Sequence, residues 1–298
     1  QITFEILVKV LLSIDPGREM DALKRDFEEY IKGLICLPIN LPGTRLHKSL
    51  KAKKGLLRAV NRIVESRKKG QTTTSDEEGR SEDLLDVLLR DGDREMESVS
   101  GNIIEMMIPG EETMPTAITL AVKFLTDNPL ALACLLEENM ELKRRKDDSK
   151  EEYSWTDYLS LRFTQNVISE TLRLGNIINA VWRKSLKDVE FKGYFIPQGW
   201  CVLASFSSVH MDDENYENPY EFNPWRWKDS GACISSNTFT PFGGGQRLCP
   251  GMELSRLEIA IFLHRLITKF RWVAEEDEII YFPTVRMKSK LPITVIPL

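Results

Sequence analysis

Residues 242–251 read Phe-Gly-Gly-Gly-Gln-Arg-Leu-Cys-Pro-Gly. A single cysteine, Cys249, follows a glycine-rich loop and immediately precedes a stretch of helical periodicity. Glycines let a backbone approach a flat ligand closely and adopt unusual dihedrals. Free N–H groups at a helix start favour a thiolate over a thiol. Arg247 offers its guanidinium to a carboxylate on the same ligand. A thiolate cradled in this way suits an iron porphyrin, onto whose metal it pushes electron density, favouring O–O cleavage. Two plainer readings compete. A lone triple glycine or a lone cysteine more often marks a flexible loop with an incidental thiol. A phosphate cradle would need Gly-Lys-Ser/Thr or Rossmann spacing, and neither is present.

Two other groupings could do chemistry. In Pro109-Gly-Glu-Glu-Thr113 an acid, Glu112, adjoins a hydroxyl, Thr113, inside a helical stretch. Proline has no N–H to donate, so Pro109 should free the carbonyl of Glu105, and Pro115 that of Glu111. Freed carbonyls would open the helix to water or oxygen; the plain reading is a kinked core helix. In Glu170-Thr-Leu-Arg173 the two charges share a helix face at i and i+3. Taken alone, that is a surface ion pair of little worth.

The elements that must hold these residues are mostly helical. Residues 1–12 suit a packed helix. Leu23, Phe27, Tyr30, Ile31 and Leu34 follow a helical period that Pro38 and Pro42 stop. A second period from about Leu46 to Lys69 turns Leu50, Leu56, Leu57, Val60, Ile63 and Val64 inward. Residues 70–82 read as an exposed, disordered loop. A long buried helix spans 98–127, and Pro129 opens the next, to about Lys146. One further helix runs from about Thr156 to Leu174. Residues 180–204 carry strand and turn signals, 205–248 look irregular, and a last helix reaches from about Gly251 to Thr268 before a β tail.

Composition narrows the classes. With 298 residues, 42% of them hydrophobic, the chain can build one large domain or two smaller ones. A net charge of −5 with interspersed signs lacks the clustered basic footprint of nucleic-acid binding. The five cysteines are odd in number and show no CxxC spacing, which argues against a disulfide framework or a zinc site. No apolar run reaches the roughly 20 residues that span a bilayer.

Phe242, Gly245, Arg247, Cys249 and Gly251 match, in register, the F-x-x-G-x-R-x-C-x-G signature of cytochromes P450, which the chain resembles along essentially its whole length. Glu170 and Arg173 resemble that family's E-x-x-R. Pro224-Trp-Arg226 is similar to its P-x-R, whose arginine joins the other two in a network supporting the cysteine loop. Residues 109–113 resemble its oxygen-binding [AG]-G-x-[DE]-T, with Pro109 departing from the usual small residue. The resemblance implies a mainly α fold with minor β, a single catalytic domain over 1–298 covering about the F helix to the C-terminus, and N-terminal truncation. It implies haem b with Cys249 as the iron ligand, Arg183 and His210 near the haem, and Glu112 and Thr113 in proton delivery. Ile177, Ile178, Ala180, Val181 and Trp182 would line an apolar substrate pocket, with Asn176 or Asn179 supplying a hydrogen bond. The wording of 106–125, 223–227 and 239–258 is similar to plant brassinosteroid side-chain hydroxylases acting at C-23, or alternatively at C-22. That implies a sterol substrate, O2, an NADPH-dependent reductase as partner, and an endoplasmic-reticulum membrane location through an anchor not in this chain. The alternative for the chain itself is a non-catalytic remnant, so residues 1–298 alone are expected not to hydroxylate.

Overall fold

The computed structural model describes residues 2–71, 82–90, 96–228, 237–281 and 284–298. They form two compact units, Gln1–Thr113 and Met114–Leu298, whose boundary falls inside one unbroken helix.

The first unit is helical: α1 (Ile2–Leu12), α2 (Arg18–Ile31), α3 (Arg45–Gln71), α4 (Leu84–Arg90) and the first half of α5 (Met96–Asp127). Phe4 and Val8 of α1, Leu23 and Phe27 of α2, Leu56, Val60 and Val64 of α3, and Ile103 and Met107 of α5 form one core. Their spacing of four keeps each set on one helix face. Arg67 of α3 donates to Asp83 and Asp86 and to the carbonyl of Leu12, tying three segments together. Gly110 lets α1 come close, because a Cβ there would lie 2.8 Å from a Leu7 methyl. One inward assignment fails. Leu50 is exposed, because the inward face of α3 passes through Ser49 and Ala52, and the helical period read as far as Leu34 stops short of it, since α2 ends at Ile31. The loop expected over 70–82 lies mainly outside the described residues, although α3 extends through Gln71 and Glu82 is exposed.

The second unit holds the rest of α5, then α6 (Pro129–Ser149), α7 (Trp155–Leu159), α8 (Arg162–Gly175), α9 (Ser207–His210) and α10 (Met252–Ile267). The helix expected over 156–174 is two helices, because the chain breaks at Ser160 and Leu161. Glu138 of α6 stabilises that break. Its carboxylate accepts the Phe163 and Thr164 N–H groups at 2.8 Å each, satisfying the start of α8. The segment 205–248 is less irregular than its sequence reads. It carries α9 and short 3-10 turns at Pro224–Trp227 and Gly245–Arg247.

Among the described residues the β part is four antiparallel pairs: β1 (Ala180–Lys184) with β4 (Cys201–Ser205), β2 (Val189–Phe191) with β3 (Tyr194–Ile196), β5 (Phe270–Ala274) with β8 (Ile293–Pro297), and β6 (Ile279–Ile280) with β7 (Arg286–Met287). Two apolar clusters centre on α5, α6, α8 and α10, and on α5 with the C-terminal strands. Among the described residues no single helix is long and apolar enough to cross a membrane.

Candidate functional site

The glycine-rich segment is a closed loop held at its mouth. Cys249 N–H donates to the carbonyl of Phe242 at 3.0 Å, Gly243 N–H to Thr240 at 3.0 Å, and Leu248 N–H to Gly245 at 3.2 Å. The Phe242 ring packs against the α8–α10 core, while Arg247 is exposed and makes no ion pair among the described residues. Gly243 and Gly245 have φ of +77° and +66°, a region that favours glycine. Around Gly244 and Gly245 there is open space where side chains would stand. Gly251 forms the N-cap of α10, and a Cβ on it would touch Cys249 Sγ at 3.9 Å. The partly buried thiol therefore sits at the start of a sixteen-residue helix, where oriented N–H groups favour an anion.

Behind the loop lies a buried charge network. Glu170 and Arg173 are both fully buried, so the surface ion pair that spacing alone offered does not describe them. Arg173 donates to Glu170 through Nε and Nη2 at 3.0 and 2.8 Å, and through Nη1 to the carbonyls of His210 and Pro219 at 2.7 Å. Glu170 also accepts Asn223 N–H at 2.9 Å, Arg226 Nε at 3.0 Å and Trp227 Nε1 at 2.8 Å. The Tyr216 ring lies under the Arg173 guanidinium, and its hydroxyl donates to the Thr238 carbonyl at 2.9 Å. Trp227 and Tyr216 were missed in the sequence. The only signal for Trp227 was its place beside Arg226.

His210 connects this network to the loop. It is buried, Thr240 N–H donates to its Nε2 at 3.0 Å, and its Nδ1 therefore carries the proton and donates to Asn176 Oδ1 at 2.9 Å. Burial, with the Arg173 charge beside it, pushes its pKa down to about 4, so the ring is neutral. Both nitrogens are engaged, which leaves neither for a cofactor; the residue holds the strand of chain entering Phe242. Asn176 caps α8 in the left-handed conformation with its Oδ1 on His210, which takes that oxygen from a substrate.

The five residues expected to line one wall do not share a face. Along β1, Ala180 and Trp182 alternate with Val181 and Arg183. Trp182 is 67% exposed and Ile178 42% exposed, whereas Ile177 packs into both α5 clusters. Arg183 is exposed, paired in register with Val202, and donates to the Trp182 carbonyl. Asn179 is exposed and uses its carbonyl to accept Phe206 and Ser207 N–H groups.

In α5 the prolines do not break the helix. Pro109, Glu112 and Pro115 take exposed positions. The Thr113 hydroxyl donates back to the Pro109 carbonyl at 2.8 Å, and Thr119 to Pro115 at 2.7 Å, a local pattern that bends helices without opening them. Burial raises the pKa of neighbouring Glu111, one of whose carboxylate oxygens is buried with no hydrogen-bond partner among the described residues. A groove of about 960 Å³ in the first unit has a mixed lining, with charged Asp15, Glu19, Arg58 and Arg62 beside apolar Leu23 and Ile63.

The family model for cytochrome P450 matches residues 15–294. The chain belongs to the cytochrome P450 family. It is 67% identical to 3-epi-6-deoxocathasterone 23-monooxygenase CYP90C1 of Arabidopsis thaliana, over 99% of this chain and 57% of that protein. It is 53% identical to the CYP90D1 enzyme of the same name and organism, covering 99% and 60%, and 41% identical to a rice steroid (22S)-hydroxylase, covering 99% and 59%. The chain thus spans about three fifths of the length of these relatives. Retinoic acid-bound cyanobacterial CYP120A1 superposes with a TM-score of 0.82 at 28% identity, covering all of this chain and 68% of that one. The fold is that of a P450, mainly α with minor β, and the family implies haem as cofactor. The loop fits that group: one soft sulfur donor at a helix start, and open space beside two glycines for a flat macrocycle.

Proposed function

We propose that a protein carrying this chain is a haem-thiolate monooxygenase that hydroxylates a sterol side chain at C-23. The observation that carries the chemistry is the cysteine loop, closed by the Cys249 N–H to Phe242 bond and backed by the Glu170 network. The observation that favours C-23 over C-22 is identity: 67% and 53% to two 23-monooxygenases against 41% to a (22S)-hydroxylase. The balanced reaction takes R–H, O2, two electrons and two protons to R–OH and water. Bound haem would supply oxygen activation, Cys249 would hold it through its sulfur, and an NADPH-dependent reductase would supply the electrons. Phe242, Gly245, Arg247 and Gly251 would shape the loop that holds the cofactor, and Arg183 would meet one of its carboxylates. Glu112 and Thr113 are assigned to proton delivery, with the Thr113 hydroxyl exchanging its present carbonyl bond for water or oxygen. Ala180 and Trp182, on one face of β1, contribute apolar contact to the sterol. The whole protein sits on the endoplasmic-reticulum membrane.

The test is product analysis. A chain extended to the relatives' full length, with reductase, NADPH and 3-epi-6-deoxocathasterone, should give a product one oxygen heavier, hydroxylated at C-23. Hydroxylation at C-22 would overturn the regiochemistry; absence of any product with a thiolate-ligated haem present would overturn the activity. Thr113→Ala should keep haem and sterol binding but divert NADPH consumption to peroxide. Unchanged product per NADPH would remove Thr113 from proton delivery.

A further inference from the structure

The helix that starts behind Cys249 carries a cation with an unusual set of partners. Arg256 lies in the second turn of α10, seven residues after the cysteine. Its guanidinium is partly buried, and burial lowers its pKa from the usual arginine value. Yet among the described residues it makes no ion pair. Its Nε and Nη2 donate to Gln165 Oε1 at 3.3 and 3.1 Å, and Nη2 also donates to the Gln165 carbonyl at 3.4 Å and Ser169 Oγ at 3.0 Å. All the acceptors are neutral and all lie on α8. Withdrawing a guanidinium from water is costly, a cost that Glu253 three residues earlier offsets only in part, and its planar fork keeps the two helices in one register. Ser169 is the residue next to Glu170, so the clamp grips α8 beside the buried network.

The consequence falls on the cysteine. Between Cys249 and α10 stand only Pro250 and Gly251, and Met252 N–H returns to the Cys249 carbonyl at 3.4 Å. The first turn of α10 therefore sets where its N–H groups point relative to the sulfur. We propose that Arg256 is a positioning residue for the axial thiolate, acting by clamping the start of α10 to Gln165 and Ser169 of α8. The proposal rests on the reading of Cys249 as the iron ligand. It assigns Arg256 no contact with haem or substrate.

The experiment is done on the full-length haem-loaded protein. Arg256→Met keeps the aliphatic stem and removes the fork; Arg256→Lys keeps the charge with one donor; Gln165→Leu removes the main acceptor. The readout is the rate at which the reduced carbon-monoxide complex loses its red-shifted thiolate band in sub-denaturing guanidinium chloride, with helical circular dichroism followed in parallel. Losing a pair of charge-assisted hydrogen bonds predicts a loss roughly tenfold faster in Arg256→Met while the helical signal is intact. Arg256→Lys should fall between that variant and wild type, and Gln165→Leu should add nothing once Arg256 is Met. A wild-type rate in Arg256→Met overturns the proposal, as does full additivity with Gln165→Leu or band loss that merely tracks unfolding. If Arg256→Met does not fold, Gln165→Leu alone decides: faster band loss supports the clamp, and a wild-type rate overturns it. Cys249→Ser in the same preparation separates the two claims, since a surviving thiolate band there sinks the ligand assignment itself.

Discussion

Replacing Glu170 by glutamine changes one atom and no volume, so it isolates the electrostatics of the network behind the cysteine loop. The carboxylate accepts five N–H donors, three on Oε1 (Arg173 Nη2, Asn223 N, Arg226 Nε) and two on Oε2 (Arg173 Nε, Trp227 Nε1). Whichever oxygen becomes NH2, at least two donors face a donor. Arg173, fully buried, and Arg226, nearly so, also lose their shared counter-charge. Removing one partner of a buried ion pair costs about 3–5 kcal/mol. A typical domain has only about 5–15 kcal/mol in total. Glu170→Gln should therefore lower the urea midpoint by about a fifth or more and speed haem loss, because the 217–227 segment and the Thr240 entry to the loop share this anchor. A stability change within about 1 kcal/mol, with haem retention unaltered, would refute the view that the network holds the loop.

Three further outcomes follow from particular residues. Burial, aided by nearby positive charges, depresses the pKa values of His210 and His264 to about 4, whereas the unfolded imidazole titrates near 6.5. The unfolded chain thus binds more protons between those values, and both histidines stabilise the fold above pH 6.5 and lose that contribution as pH falls toward 4. Glu258, pushed up to about 7 by burial, and Glu111, raised by burial too, work the other way and offset part of that rise. Glu258→Gln should steepen the rise in urea unfolding measured from pH 5 to 6.5, and a profile that falls with pH would contradict the balance. Gly245→Ala forces a side chain into a φ of +66° and should cost about 1–2 kcal/mol, read as faster haem loss to apomyoglobin; unchanged retention would show the loop tolerates the strain.

The chemistry of the site was more legible in the sequence than its geometry. The spacing from Phe242 to Gly251 located the loop because the dihedral demands of Gly243 and Gly245 and the helix start at Met252 are local properties. Glu170 and Arg173 were visible as a pair, but their burial was not. It depends on Asn223, Arg226 and Trp227, more than fifty residues further on, and on Tyr216 beneath them. The family resemblance put His210 near the haem, but its hydrogen bonds to Asn176 and Thr240 were not visible, because no periodicity connects those residues to it. The five-residue wall from Ile177 to Trp182 failed for a simpler reason: it ignored the two-residue alternation of a strand. The break between α7 and α8 was hidden because its satisfaction comes from Glu138 on another helix. The prolines of α5 were over-read, since an exposed proline can sit in a helix that tertiary packing holds continuous.

The account turns on Cys249, and one spectrum tests it. In the full-length protein, Cys249→Ser should abolish the red-shifted Soret band of the reduced carbon-monoxide complex, because a hydroxyl cannot replace the thiolate donor. Replacement of Cys36, Cys134, Cys201 or Cys233 should leave that band in place. An intact band in Cys249→Ser would contradict the assignment of the loop as the haem-thiolate site.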